Sequence, residues 1–223
     1  ADSISYGIAR ARLTVASKDT DHEAVAYFER EPYEYQSDAE RYGRAIAYLR
    51  AGRNVDAQLI FQELVNNDPE IIAYHIGLAD AQLANEAIAE MTDTYEHASE
   101  LFPRNIPLTV HYAEALLRID RSSKAHKILL DLFNTFQPTP EQVKLISRAA
   151  IEAGDVAEAH YYMAEYRIMI GDLVGGINFL RQALKVPQLE EIQRIRFQAR
   201  IDFIREFMSE EQLQRLQRSR VTG

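Results

Sequence analysis

Apolar residues recur at three- and four-residue intervals along nearly the whole chain, and Gly, Pro and capping residues cut the pattern into pieces of helical length. Two of the breaks, Pro69 and Pro103, lie 34 residues apart, and each closes a pair of amphipathic segments. Between Ser37 and Pro69, the small Ala45 on the first segment faces Ala57 on the second, Tyr48 and Phe61 fill the space between, and Gly52 makes the turn. The next pair, Glu70 to Pro103, supplies Leu78, Ala79, Tyr95 and Ala98, with Met91 where a small crossing residue is expected and a turn, Ala84 to Ala87, that has no Gly. A third pair, from about Ile106 to Pro138, repeats the offsets with Tyr112, Ala113, Leu116, Ala125, Leu129 and Leu132.

A 34-residue period of paired helices is the length of a tetratricopeptide repeat (TPR), two antiparallel helices A and B with small residues where they cross. Beyond Pro140 the turn signals Gly154-Asp155 and Gly171-Asp172 come only 17 residues apart. The helix between them must therefore serve as B to its predecessor and A to its successor, with Ala159, Met163 and Tyr166 on one face. The last hairpin closes with Gly176, Leu180 and Ala183 before Pro187, Gly176 allowing a close helix approach. The expected fold is all-α: a right-handed TPR-like helical-hairpin solenoid of about four units plus a half-unit, ending in a C-terminal capping helix. Such an array works through an extended surface, which points to binding and away from a single catalytic cleft.

Local chemistry agrees with these boundaries. Ser37 with Glu40, Thr139 with Gln142, Asp155 with Glu158 and Ser209 with Gln212 have capping-box spacing, and Asp68-Pro69 and Thr139-Pro140 put Pro at a first helical position. Residues 1–35 read as an N-terminal segment, weakly periodic to 18, with one short helix from His22 to Glu31; 36–188 form the array; 189–223 form a long capping helix and a tail that frays from Arg215. In the capping helix the apolar residues 189, 192, 195, 199, 203 and 207 make the inward stripe, and its charged back supplies the polar outer face a solenoid end requires.

Composition removes several classes of function. The formal net charge is −9 and no Lys/Arg-rich block interrupts it, so nucleic acid is dropped as a partner. There are no cysteines, hence no disulfides, thiolate zinc site or nucleophilic thiol. No apolar run of membrane-spanning length and no signal peptide occurs, and a start at Ala1 without Met reads as a mature or excised fragment. The six histidines (22, 75, 97, 111, 126, 160) form no i, i+4 pair, so no metal site is expected, and Glu190-Glu191 and Glu210-Glu211 diverge on their helices as solvated charge. There is neither a phosphate loop nor a nucleophile elbow.

The opening SISYGIARARL, the first full repeat AERYGRAIAYLRAGRNVDAQLIFQELVNNDP and the closing QARIDFIREFM together resemble the C-terminal TPR region of the bacterial periplasmic zinc metallopeptidases of the BepA (YfgC) type. That resemblance implies a periplasmic location and a recognition module for outer-membrane β-barrel clients and their assembly machinery. It also implies a peptidase domain in cis whose H-E-x-x-H helix carries zinc. This chain has no such helix; the nearest text, His22-Glu23-Ala24-Val25-Ala26, has Ala where the second His must stand. The expectation is a non-catalytic module, with no cofactor in this fragment.

Inward-facing positions of each helix A then define a candidate peptide groove: Tyr42, Ile46, Leu49 and Arg50; Ile76 and Asp80; Val110, His111, Glu114 and Arg118; Lys144, Arg148 and Ile151; Tyr161, Tyr162 and Glu165. The carboxylate-clamp TPRs that hold chaperone C-termini use Lys and Asn where this chain has Tyr42 and Ile46, so clamp recognition is disfavoured. Tyrosines suit extended, β-prone apolar segments, because they give large contact area at low entropy cost. Tyr48, Tyr112 and Tyr166 read as core; Tyr42 and Tyr161 are open to either reading. A free-standing scaffold joining two folded partners, without a protease connection, is the alternative function, and an enzyme in its own right ranks last.

Overall fold

A computed structural model describes residues 3–218, and the described residues contain no strand. The helices are α1 (Ile4–Ala16), α2 (Asp21–Glu29), α3 (Asp38–Arg50), α4 (Asn54–Asn67), α5 (Ile72–Ala84), α6 (Ile88–Leu101), α7 (Ile106–Arg118), α8 (Ser122–Phe133), α9 (Pro140–Glu152), α10 (Val156–Met169), α11 (Leu173–Leu184), α12 (Glu191–Glu206) and α13 (Glu210–Arg218). They group into two compact units, Ala1–His111 and Tyr112–Gly223.

The turns inside the helical hairpins use one device repeatedly. Gly52, Glu86, Asp120 and Gly154, each 34 residues from the next, have φ between 56° and 86°, as does Gly171 half a repeat later. At each, the following residue donates its N–H five residues back: Arg53 to Tyr48, Ala87 to Gln82, Arg121 to Leu116, Asp155 to Ala150 and Asp172 to Arg167, at 2.8–2.9 Å. The left-handed residue itself donates three back, as Gly52 does to Leu49. This is the Schellman closure, which satisfies the last carbonyls of a helix. The Gly-free turn at Ala84–Ala87 has the same geometry, with Glu86 holding the left-handed position.

In the first unit, Tyr42, Phe61, Leu64 and Tyr74 form the centre of the core, and Ala45, Ala57 and Ala79 are fully buried at the crossings. Gly43 lies under the Phe28 ring and Gly77 under the Phe61 ring, where a Cβ would come within 2.3 Å of ring carbons. The first 18 residues are more regular than their weak periodicity suggested. They form α1, which buries Gly7, Ile8, Ala11 and Val15 and packs on α3. The Arg50 guanidinium donates to the carbonyls of Val15 (2.8 Å) and Lys18 (3.1 Å) at the end of α1 and pairs with Asp21 at 2.6 Å.

In the second unit α10 packs on both α9 and α11, the double duty that the 17-residue spacing demands. Gly176 is buried, and a Cβ there would meet Ile168 at 2.8 Å. The cap pairs Ser37/Glu40 and Thr139/Gln142 close as reciprocal boxes, and Ser209/Gln212 exchange the same two bonds. Asp155 accepts from Glu158 N–H, but the Glu158 carboxylate turns to α12, so that box is only half made. Pro69 also departs from expectation: α5 starts at Ile72, and Asp68 to Ile71 form the turn before it.

The largest correction concerns α12. It buries Phe197, Ile201 and Ile204, while Ile192, Ile195, Phe203 and Phe207 are 73, 61, 51 and 66% exposed. Apart from Leu189, which packs against the core of this unit, the stripe expected to face inward is the outer face. Residues 215–218 continue α13 where fraying was expected; the remainder of that tail and Ala1 lie outside the described residues.

Because Glu86 and Gly154 occupy equivalent sites, exchanging their chemistry should move stability in opposite directions. Gly154→Ala should cost about 1 kcal/mol and Glu86→Gly should gain roughly 0.5 kcal/mol, the left-handed strain of a side chain outweighing the entropy of glycine. Urea unfolding midpoints of the two variants measure both.

Candidate functional site

One half-buried face of α10 places Tyr161, Tyr162 and Glu165 on a cleft of about 380 Å³ in the second unit. Leu130, Phe133 and Asn134 from α8, Gln137 and Pro138 from the following turn, and Val143 and Ile146 from α9 line one side. Ile168 and Met169 continue the α10 wall, and Arg196 and Arg200 of α12 close the other.

Each polar group here has a structural cause. Phe197 is fully buried against α10, and the Tyr161 ring stacks on it at 5.3 Å and 21°. That packing brings the preceding turn of α12 over the same ring, with the Arg196 guanidinium 4.5 Å from its centroid. Arg196 pairs with the buried Glu158 carboxylate, which also accepts from Gln193 at 2.9 Å. One turn on, Arg200 donates through Nε (2.8 Å) and Nη2 (2.7 Å) to the two oxygens of Glu165, a fork-to-fork pair. Tyr161 meets Tyr162 edge-on at 5.5 Å, and Tyr162 meets His126 edge-on at 6.1 Å.

Burial raises the pKa of both Tyr161 and Tyr162, so each phenol keeps its proton far into base. The bond to Glu165 holds the Arg200 guanidinium above its ordinary value. Two arginines and two glutamates leave the cleft without net charge. Its walls are aromatic and aliphatic, its rim is hydrogen-bonding, and this combination suits an apolar segment with a polar backbone better than a charged small molecule.

The other groove candidates disperse. Tyr42 is fully buried and its hydroxyl accepts from Arg12 Nε at 2.6 Å; packing of α1 over it turns a groove candidate into core. Ile76 is likewise buried in α5, and Arg50 is engaged at the end of α1. Ile46 and Leu49 are half-buried against the first core, and Asp80 accepts from the Tyr95 hydroxyl at 3.3 Å. Val110 and His111 are half-buried and Glu114 and Arg118 exposed on α7. Lys144 pairs with Glu141 and sits over the Tyr166 ring, Arg148 pairs with Glu152, and Ile151 is exposed. Tyr48 and Tyr112 are buried as expected, and Tyr166 is half-buried.

The sequence pattern does not mark Arg196, Arg200 or Glu158 as site residues, because α12 reads as a cap and Glu158 as half of a local box. Two arginines at i, i+4 flanking Phe197 were the available signal. Among the described residues, no three His, Cys, Asp or Glu side chains gather as a metal site. Nor is any described helix long and apolar enough to cross a membrane.

Comparison with known proteins agrees with this architecture. No protein-family model matches the chain. It is 25% identical over 206 residues to a protein of Vibrio cholerae serotype O1 (strain ATCC 39315 / El Tor Inaba N16961) that carries the provisional name beta-barrel assembly-enhancing protease. The match covers 91% of this chain and 43% of that protein, so the chain spans less than half the length of its relative and fits a C-terminal TPR region. Among solved structures, a thermophilic TPR protein of Thermus thermophilus superposes with a TM-score of 0.52 at 18% identity, covering 88% of this chain and 98% of that one. A TPR protein of Parabacteroides merdae ATCC 43184 gives 0.54 at 8% identity, covering 87% and 83%. The fold is therefore an all-α helical-hairpin array of the TPR type.

The Arg200–Glu165 fork is only partly shielded, with side chains 30% and 20% exposed, and its worth is correspondingly modest. A double-mutant cycle of Glu165→Gln and Arg200→Met, read by chemical denaturation, should return a coupling of about 1 kcal/mol.

Proposed function

We propose that this chain is the protein-interaction part of a BepA-like periplasmic metallopeptidase, holding extended segments of outer-membrane β-barrel clients and contacting their assembly machinery. The observation that carries the proposal is the alignment along 91% of the chain with a relative named for β-barrel assembly and proteolysis. The second-unit cleft supports it physically. A strand-forming client segment alternates apolar side chains with exposed backbone polar groups. Leu130, Phe133, Val143 and Ile146 offer the apolar wall, and Tyr161, Tyr162, Asn134 and Gln137 offer hydrogen-bonding groups beside it. In this proposal zinc and the peptide-cleaving chemistry belong to a separate domain. The residues of this chain do not fit that metal, since His22-Glu23-Ala24-Val25-Ala26 lacks the second imidazole.

Residues 1–35 would then lead from the peptidase domain, and the compartment would be the periplasm. Photo-cross-linkers placed at Tyr161 and at Met169, which is 40% exposed, should label an unfolded outer-membrane β-barrel protein diluted out of urea. Labelling should fall at least fivefold when an unlabelled client competes. Failure at both positions, with labelling from Arg148 or Arg118 instead, removes the cleft from the proposal. Labelling by folded partners alone would favour the free-standing scaffold.

A further inference from the structure

A second cleft, of about 420 Å³, lies within the first unit, where α1 forms one wall, the end of α2 another, and Gln36 with the start of α3 the third. Gln36 is 6% exposed, and its side-chain Nε2 donates to the main-chain carbonyls of Phe28 and of Glu31, the latter at 3.1 Å. Those two acceptors fix which end of the amide is nitrogen and leave Oε1 as an acceptor. It is buried and has no hydrogen-bond partner among the described residues. Buried acceptors are rarely left in this state, because an unpaired one forfeits its hydration without return. Arg10, Tyr27 and Arg30 also line the cleft, and they are exposed side chains of the kind that change rotamer in picoseconds to nanoseconds, which opens a way in for a small donor.

The charges around the cleft narrow what can fill it. Glu40 is committed to the helix cap, accepting from the Ser37 N–H at 2.9 Å and its hydroxyl at 2.6 Å; those bonds, with the Arg10 charge, hold its carboxyl below the ordinary range. Arg30 and Glu31 differ from that pair. Both line the cleft, both are exposed, and among the described residues neither has an ion-pair partner. They stand at the C-terminal end of α2, whose last carbonyls add partial negative charge. The cleft thus offers one unpaired cation, one unpaired anion and one unpaired neutral acceptor. Ala11, Phe28 and Ala39, all buried, give it an apolar lining as well.

We propose that this cleft binds a small zwitterion, a free α-amino acid with an apolar side chain. Its ammonium donates to Gln36 Oε1 and to the Glu31 carboxylate, its carboxylate accepts from the Arg30 guanidinium, and its side chain rests on Ala11, Phe28 and Ala39. A carboxylate alone would leave the buried Oε1 without a donor, and an amine alone would leave Arg30 without an anion. An apolar pocket with a few convergent polar groups is the ordinary form of a small-molecule site. The cleft lies in a different unit from the one assigned to client segments, and this proposal does not rest on that one.

Titrating the ¹⁵N-labelled full chain with L-leucine to about 20 mM should give saturable shifts at the Gln36 side-chain amide and at the Ala11 and Ala39 backbone, with a Kd on the order of 0.1–1 mM. Leucinamide, which lacks the carboxylate, and N-acetylleucine, which lacks the ammonium, should each bind at least tenfold more weakly. Glycine should bind more weakly than leucine, since it leaves the apolar lining uncovered. Arg30→Gln, a change at an exposed residue, should weaken leucine at least fivefold while leaving the circular dichroism unchanged. No saturable shift up to that concentration overturns the proposal. Equal binding of N-acetylleucine also overturns it, because the ammonium would then have no part. Saturable shifts confined to the second unit, or indifferent to Arg30→Gln, would place the binding outside this cleft and overturn it in the same way.

Discussion

A helix leaves its last carbonyls without partners, and this chain meets that constraint in the same way at five of its turns. At Gly52, Glu86, Asp120, Gly154 and Gly171 a left-handed residue reverses the backbone and sends two N–H groups back onto the closing turn. Everything larger follows from where those reversals fall. They set the lengths of the helices, they decide which faces meet, and they put small residues such as Ala45, Ala57, Gly43 and Gly77 at the crossings, where a larger side chain would collide with its neighbour. Packing supplies the stability, while the turns supply the register in which packing can occur.

The second unit departs from simple repetition where its chemistry is richest. Glu158 has the spacing to complete a local cap, yet its carboxylate lies buried against Arg196 and Gln193. The N-terminus of α10 keeps its Asp155 bond and gives up the reciprocal one. In exchange α12 is held against α10 by two ion pairs that bracket the Tyr161–Phe197 stack. Without them the cleft would lack one wall. A residue that looks like secondary-structure punctuation thus acts as a tertiary fastener.

The hairpin array was legible because its signals are local. Gly52, Gly154 and Gly171 mark turns through their composition, and Ser37, Thr139 and Ser209 mark helix starts through cap spacing. Glu86 and Asp120 show what composition misses, since both take the glycine conformation with nothing in their residue type to announce it. The groove was less legible because inward-facing is a statement about neighbours. Tyr42 sits at an inward offset, but α1 packs across it and Arg12 takes its hydroxyl. Helix α12 failed for a different reason: both of its faces are apolar, so periodicity alone could not choose between 192-195-199-203-207 and 197-201-204. The choice is made by Phe197 and its stack with Tyr161, a contact 36 residues long in sequence.

Helix α10 answers to a neighbour on each side, and this gives the chain a grammar for growth. Removing or duplicating 34 residues between any of the first four turns joins like to like, an A helix still followed by a B helix, with the glycine-type reversal in step. Removing the 17 residues between Gly154 and Gly171 would also leave an A helix, α9, running into a B helix, α11, through a single reversal, but it would take away Glu158, Tyr161 and Glu165, to which α12 is fastened. The array can change length by whole periods near its start, whereas its end, where one helix serves two neighbours and also anchors α12, is locked against such editing.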